Sequence, residues 1–179
     1  FVHVGADYGG GPVNAHPLFR IEWLSEHTTS FSALSTYRGH GARVERDGRF
    51  EAVRGLRADA GFLDAVGYAP ARGRAFTGAE AAPDGPDVVI LSDATWRTRF
   101  GADPDVLGRA LVLNERPYTV VGVLPADFAF PQAGAPIQYL VPLAIRPDPA
   151  DEGTNYPAIG RLAAGVSHEA ATADLAQAW

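Results

Sequence analysis

Three residue types are missing from the 179-residue chain, which contains no cysteine, no methionine and no lysine. Without cysteine the protein can form no disulfide and can use no thiol for catalysis or for binding a metal ion. Without methionine the chain cannot begin at its natural start codon, so we expect a fragment or a processed form of a longer protein. All 15 basic residues are arginines, a bias typical of a GC-rich genome that indicates nothing about function.

Long hydrophobic runs are also absent. No stretch of about 18 consecutive apolar residues occurs, so the sequence predicts no segment that spans a bilayer. The formal net charge of −6 makes binding to nucleic acids or anionic lipids unfavourable. With 46% hydrophobic and 20% charged residues, the composition is that of a folded domain, or of two small lobes that share one chain.

The N-terminal part predicts helices followed by a hairpin. Apolar residues recur at helical spacing within residues 17–38, which predicts two short helices, the second of them capped by Ser30. Residues 42–58 alternate apolar and charged side chains around Asp47-Gly48, which predicts two strands joined by a tight turn.

The middle of the chain has clear start and stop signals for helices. Asp59 is placed to cap a short helix that Gly67 ends. The apolar run Val88–Leu91 predicts a strand that is covered on both faces. We expect Ser92 to cap the helix that follows it, Asp93–Phe100.

Four further strands and one helix complete the predicted elements. The strands are Arg109–Leu113, Tyr118–Leu124, Ile137–Leu143 and Tyr156–Leu162. A last helix begins after Ser167, and we expect the C-terminal strand or helix to contact Trp23 or Leu24, because both apolar stripes need a cover. Since helices, hairpins and strand–helix–strand units are mixed, the sequence predicts an α+β fold. The residues predicted to be buried are Val89, Leu91, Trp96, Phe100, Leu111, Val121 and Val123.

None of the patterns that mark catalytic or metal sites is complete in this sequence. The histidines form no HxH or HExxH pair; they are His3, His16, His27, His40 and His168. Asp148, Asp151, Glu152 and Asn155 lack the ligand alternation and central glycine of a calcium loop. No GxSxG elbow and no phosphate-binding loop occur. A pair of catalytic carboxylates like that of glycosidases cannot be recognised from the sequence, because the two residues need not be close in the chain. We therefore predict no catalytic, metal-binding or cofactor-binding residue, and no cofactor.

Residues 88–131, VVILSDATWRTRFGADPDVLGRALVLNERPYTVVGVLPADFAFP, carry the longest distinctive pattern. They resemble a signature stretch of the MacB-like periplasmic core domain family, in which a buried strand precedes W..RFG.DP and then PYTVVGV.P..F.FP. Residues 53–76 and 159–175 are similar to two further family patterns, V.G..VS..FF..LGV.P..GR.F and GRL.PGVS.E.A.A.L. Residues 17–37 resemble the segment that follows the family's first membrane helix, so the resemblance covers residues 13–179.

This resemblance implies a periplasmic domain inserted between the first two transmembrane helices of an ABC-transporter permease in the bacterial inner membrane. Such permeases form homodimers and work with a cytoplasmic ATPase. They transmit ATP-driven motion to periplasmic substrates or to partner proteins such as adaptors. The resemblance therefore implies a non-catalytic, mechanical role, with the permease's own membrane helices and the ATPase as partners.

The resemblance also implies two lobes. One is a porter-like α/β lobe made by residues 1–41 and 135–179, and the other is an inserted lobe made by residues 42–134. The sequence departs from the family at Ala75, where a bulkier or hydroxyl residue is common. It departs again at Asn114-Glu115-Arg116, which replaces a turn that contains glycine. Neither departure changes the expected fold, but both leave the cargo and the partner open.

Two other classes of function remain as alternatives. A ligand-binding module would hold a lipid, a peptide or a drug in a cleft between the lobes, and it would need a sizeable apolar pocket with convergent polar groups. An enzyme would show a cluster of titratable groups with perturbed pKa values. We expect the isolated chain to be a monomer, because the membrane helices and the ATPase impose the dimer in this family.

Overall fold

The computed structural model describes residues 1–7, 12–13, 15–46, 48–146, 148, 150, 153 and 156–178. The helices are α1 Leu18–His27, α2 Phe62–Val66, α3 Gly78–Ala81, α4 Asp93–Phe100 and α5 His168–Ala178. The strands are β1 Val2–Val4, β2 Ala6–Asp7, β3 Pro12–Val13, β4 Ala15–His16, β5 Phe31–Arg46, β6 Arg49–Ala58, β7 Arg72–Gly73, β8 Val88–Leu91, β9 Ala110–Leu113, β10 Arg116–Val123, β11 Tyr139–Pro142 and β12 Tyr156–Leu162. This mixture of helices and strands confirms the predicted α+β class. Within these described residues, no helix is both long enough and apolar enough to cross a membrane.

The chain divides into two compact units. The first unit comprises Phe1–Arg38, Gly61–Gly67 and Ile145–Trp179, and the second comprises Gly39–Ala60 and Tyr68–Ala144. These units differ from the predicted lobe bounds chiefly at α2, which lies in the first unit, and at residues 135–144, which lie in the second. Residues 139–142 join the second unit because β11 pairs with both β6 and β8. The lobes themselves stay a prediction.

The sheet of the first unit is centred on β12. This strand pairs antiparallel with β1, with β4 and with residues 31–36 of β5. The second predicted helix is therefore wrong, because residues 31–37 belong to a strand and Ser30 precedes a strand rather than capping a helix. Apolar residues at positions 31, 34 and 37 suit a helical turn, but pairing with β12 satisfies the main chain of this segment and outweighs the local pattern.

The helices of the first unit have different kinds of ends. α1 buries Leu18, Ile21 and Leu24 on one side, as the sequence predicts. α2 begins at Phe62 with Gly61 at its N-cap position, two residues after the predicted capping residue Asp59, and Gly67 ends it with a left-handed φ of 80° as predicted. α5 begins where expected, since the Ser167 hydroxyl accepts from the Ala170 amide at 3.1 Å.

The second unit contains a mixed sheet in the order β5–β6–β11–β8–β10–β7, with residues 39–46 of β5 at one side and β9 attached to β10. β8 is buried along its whole length and runs parallel to β10. The predicted hairpin at 42–58 is present as β5 and β6, although Asp47 lies outside the described residues. Asn114 and Glu115 have positive φ values of 49° and 67°, which is the geometry of a tight two-residue hairpin turn.

The helix α4 follows its predicted signals closely. Ser92 Oγ accepts from the Thr95 amide at 3.2 Å, and Gly101 ends the helix with a φ of 62°. Five of the seven predicted core residues are buried, while Phe100 and Val121 are half-buried. Val121 was misplaced because a β-bulge between Val120 and Gly122 reverses the inward and outward alternation of β10 at this point.

Candidate functional site

Two histidines of the described chain, His16 and His40, make structural contacts. His16 is buried and its Nε2 lies 2.7 Å from the Val4 carbonyl oxygen; burial lowers the pKa of His16, so the ring stays neutral at pH 7. His40 Nδ1 lies 3.0 Å from the Tyr139 hydroxyl, which donates to the His40 carbonyl at 2.9 Å. Among the residues that the structure describes, no three histidine or acidic side chains are grouped so that they could hold a metal ion.

The acidic stretch at 148–155 offers little to a calcium ion in the part that is described. Asp148 Oδ1 accepts from the Ala150 amide at 2.9 Å, which closes a local turn. Asp151, Glu152 and Asn155 lie outside the described residues. The absence of metal, cofactor and catalytic residues therefore stays a prediction.

One ionic interaction in the second unit holds a loop and a short helix together. Arg74 donates to both carboxylate oxygens of Glu80 at 2.7 Å and also to the Ala75 carbonyl at 3.1 Å. Glu80 further accepts from the Thr77 amide in a capping box at the start of α3. The hydrogen bonds from Arg74 lower the pKa of Glu80 to about 2. These hydrogen bonds hold the loop to the start of α3.

The first unit contains a different polar contact, which links α5 to the beginning of β5. One oxygen of Asp174, in the middle of α5, accepts from the main-chain amides of Thr29 at 2.9 Å and Ser30 at 2.8 Å. Hydrogen bonds from Ser30 and Thr29 lower the pKa of Asp174 below its ordinary value. The carboxylate is therefore ionised at neutral pH, and it caps two amides that would otherwise lack an acceptor at the start of the strand.

A second contact links the end of α5 to α1. The indole Nε1 of Trp23 donates to the Ala178 carbonyl at 3.0 Å, which confirms the predicted contact between the two helices. One face of the indole stacks on the His27 ring, with the ring centroids 3.5 Å apart, and His27 Nδ1 lies 2.9 Å from the Trp23 carbonyl oxygen. Although 48% of Trp23 is exposed, its orientation is therefore fixed from two sides.

We call the set Trp23, Thr29, Ser30, Asp174 and Ala178 the α5 tie. It joins the C-terminal helix to the middle of α1 and to the two residues that precede β5. Sequence reasoning identified Trp23 from its place in an apolar stripe, but it missed Asp174. An aspartate in the middle of a helix has poor intrinsic propensity, and that weak signal is the only local mark of its role.

The second unit also contains an apolar groove of about 430 Å³ between the start of α4 and the loop that precedes β11. Its volume is within the range of small-molecule sites. Two of its lining residues are polar, and both have intramolecular partners: Ser92 Oγ donates to Thr95 Oγ1 at 3.0 Å, and Asp93 accepts from Arg97 at 2.7 Å. The remaining lining residues are Ala94, Pro125, Ala126, Phe128, Ala129, Phe130, Pro131, Gly134, Ala135, Pro136 and Ile137.

Comparison with known proteins assigns relatives to this architecture. A family model described as the MacB-like periplasmic core domain matches residues 2–178. No curated protein matches the chain. One similar solved structure is the periplasmic region of MacB from Actinobacillus actinomycetemcomitans, with a TM-score of 0.68, 15% identity, and coverage of 92% of this chain and 73% of that one.

Two further solved structures share the fold. The extracellular domain of the ABC-type transporter YknZ from Gram-positive bacteria has a TM-score of 0.64 at 15% identity, over 90% of this chain and 79% of that one. A domain described as part of a permease protein from Porphyromonas gingivalis has a TM-score of 0.65 at 21% identity, over 93% and 77% of the two chains. The similarity in each case is one of fold.

Proposed function

Because the chain belongs to the MacB-like periplasmic core domain family, we propose that it passes ATP-driven motion from the membrane part of an ABC-transporter permease to a periplasmic substrate or partner protein. Its partners are then the transmembrane helices of the same permease and a cytoplasmic ATPase. A periplasmic adaptor or substrate protein is the recipient of the motion. The chain itself carries out no catalysis in this proposal, and the full-length permease acts as a homodimer.

The observation that carries this proposal is the α5 tie. A helix is stiff along its axis, so a displacement applied at the end of α5 moves Asp174 with it. Asp174 holds the amides of Thr29 and Ser30, and the residue after Ser30 is the first of β5. The tie therefore converts movement of the last helix into tension on one strand.

The strand that receives this tension is long. β5 has 16 residues, which at roughly 3.3 Å per residue gives about 50 Å of extended chain. Its residues 31–38 belong to the first unit and its residues 39–46 to the second. The main chain of β5 thus offers a continuous covalent route for force between residues of the two units, without requiring any group to react.

The proposal is tested in the full permease, reconstituted with its ATPase. Because the domain has no cysteine, Glu115→Cys on the exposed β9–β10 turn provides a single spin-label position in each copy within this domain. We expect the distance between the two labels to change between the ATP-bound and ADP-bound states. Asp174→Ala should reduce that change while ATP is still hydrolysed, because the tie is broken and the ATPase is not touched.

A matched control comes from the same helix. Glu169→Ala also removes one carboxylate from α5, but from an exposed position in its first turn. This variant should keep both the ATP hydrolysis and the change in label distance. If Asp174→Ala shows the full distance change, the α5 tie does not transmit motion and the proposal is wrong.

A further inference from the structure

The long strand β5 contains two glycines near its middle, Gly39 and Gly41, on either side of His40. Both glycines are exposed, and a Cβ added at either one would meet no atom within 4 Å. Neither of them has a positive φ. Glycine is therefore required at these positions neither by packing nor by a left-handed backbone, and what it contributes to the strand is conformational freedom.

A buried tyrosine from another strand holds the residue between these glycines. The hydroxyl of Tyr139, on β11, donates to the His40 carbonyl at 2.9 Å and lies 3.0 Å from His40 Nδ1. The two rings meet edge to face, with their centroids 5.7 Å apart. Tyr139 therefore contacts both the main chain and the side chain of His40, at the point where the flanking glycines leave β5 least restricted.

The path from Tyr139 to His40 crosses an intervening strand. β6 lies between β11 and β5 in the sheet, and Gly55 of β6 is the register partner of Tyr139. A Cβ at Gly55 would come within 2.4 Å of Tyr139 Cε2, so the phenol ring occupies the space that a side chain would take. The glycine in β6 thus allows the ring to extend across that strand and reach β5.

The glycines of β5 stand where the strand passes from the first unit to the second, between residues 31–38 and residues 39–46. The chain passes between the units at three other places, and each of them also has a glycine or a left-handed residue at its boundary. Gly61 and Gly67 border α2, and Ala144 has a φ of 48°. A left-handed alanine is strained, so a change of its φ relieves strain. Backbone change is therefore least restricted at all four connections.

We propose that residues 39–41 form a hinge in β5, and that the hydrogen bond from Tyr139 to His40 is the latch that keeps this hinge closed. With the latch closed, β5 is stiff and passes a bend or a twist as well as a pull. With the latch open, the continuous main chain still passes a pull, but the hinge absorbs the bend and the twist. This inference rests on the coupling function proposed above and adds its control: the latch sets which motions of residues 31–38 reach residues 39–46.

The hinge is tested in the 179-residue chain by amide hydrogen exchange. The quantity measured is the protection factor of residues 39–41 relative to that of residues 33–36 of the same strand. Tyr139→Phe opens the latch and should lower this relative protection about five- to thirtyfold, the effect of one lost hydrogen bond. Gly39→Ala and Gly41→Ala should each raise it about two- to fivefold, because alanine restricts the opened chain more than glycine does.

Two variants serve as matched controls. Tyr118→Phe removes a hydroxyl from the same core cluster, and that hydroxyl makes no hydrogen bond within the described part of the chain. Gly78→Ala adds a methyl group at another glycine whose Cβ would meet no atom within 4 Å. Neither control should change the relative protection. If Tyr139→Phe lowers the protection of residues 33–36 and 39–41 equally, β5 opens only as a whole and the hinge does not exist.

The control of coupling is tested in the reconstituted permease that carries the label at Glu115→Cys. Tyr139→Phe should reduce the change in label distance between the ATP-bound and ADP-bound states, and Tyr118→Phe should keep it. A full change in Tyr139→Phe, in a permease where Asp174→Ala reduces it, would overturn the latch as a control of coupling. If Asp174→Ala also shows the full change while the exchange results are as expected, the coupling function is wrong and the hinge stands as a property of the strand alone.

Discussion

Replacing Trp96 by alanine tests whether the core of the second unit is assembled as described. The side chain is 7% exposed and packs among the buried residues of the sheet. Its Nε1 donates to the Asp103 carbonyl at 2.8 Å. The guanidinium groups of Arg72 and Arg97 lie 4.6 Å and 5.4 Å from the ring centroid. The substitution would therefore open a large cavity and leave a carbonyl without its donor.

The size of the effect follows from these contacts. Truncation of a buried tryptophan to alanine costs about 3–5 kcal/mol in unfolding free energy. With a urea m-value of about 2 kcal/mol/M, a loss of about 4 kcal/mol lowers the unfolding midpoint by about 2 M. Trp96→Phe keeps an aromatic ring in the core and loses the indole donor, so we expect a smaller loss of about 1–2 kcal/mol.

Urea unfolding followed by far-ultraviolet circular dichroism measures both variants against the unaltered chain. We expect the urea midpoint to rise in the order Trp96→Ala, Trp96→Phe, unaltered chain. An alanine variant with the original midpoint and slope would show that the tryptophan contributes nothing to the core and would refute the packing argument.

Four further predictions concern other parts of the chain. The pKa of Glu80 in the folded protein is about 2 against an ordinary value of 4.5, so its pairing with Arg74 stabilises the fold above about pH 4.5, and this stabilisation is lost as the pH falls toward 2. Glu80→Gln should therefore flatten the dependence of the melting temperature on pH between about 4.5 and 2. The same dependence in the variant and in the unaltered chain would contradict the pairing. Tyr139→Phe removes the buried donor to the His40 carbonyl and should lower the unfolding free energy by about 1–2 kcal/mol in urea titration, whereas an unchanged value would discount this bond. Gly55→Ala places a Cβ 2.4 Å from Tyr139 Cε2 and should cost about 1–3 kcal/mol; adding Tyr139→Leu should recover part of that loss, and no recovery would point to a different clash. The isolated chain should remain monomeric in light scattering over a tenfold concentration range, and a constant dimer mass would disprove this.

The parts of the fold that the sequence predicted are those with local signals. The strand–helix unit at 88–101 was predicted because four consecutive apolar residues, a serine cap and a terminal glycine all lie within one short segment. The β9–β10 hairpin was predicted for the same reason, since its strands are joined by a two-residue turn. Each of these elements is specified by its own residues and needs no distant partner.

The parts that were missed depend on residues far away in the sequence. Residues 31–37 form a strand because β12, more than 120 positions later, supplies the partner. Asp174 acts on amides 144 and 145 positions before it, and spacing rules carry no information about such a pair. The Trp23 contact was predictable because two apolar stripes generally need to be covered. No such general requirement predicts the hydrogen bonds that Asp174 accepts in the α5 tie.

The position of β12 has a consequence for how the protein folds during synthesis. β12 is the strand that joins β1 to β5 in the first unit, and it leaves the ribosome only after both of them. Likewise β11 joins β6 to β8 in the second unit and emerges only after both of them. Neither sheet can form completely before its central strand has been synthesised, so apolar strands such as β8 stay exposed until then. Folding of each sheet then depends on long-range pairing with a strand that is synthesised after its neighbours, which is slow and gives chaperones a defined interval in which the nascent chain needs protection.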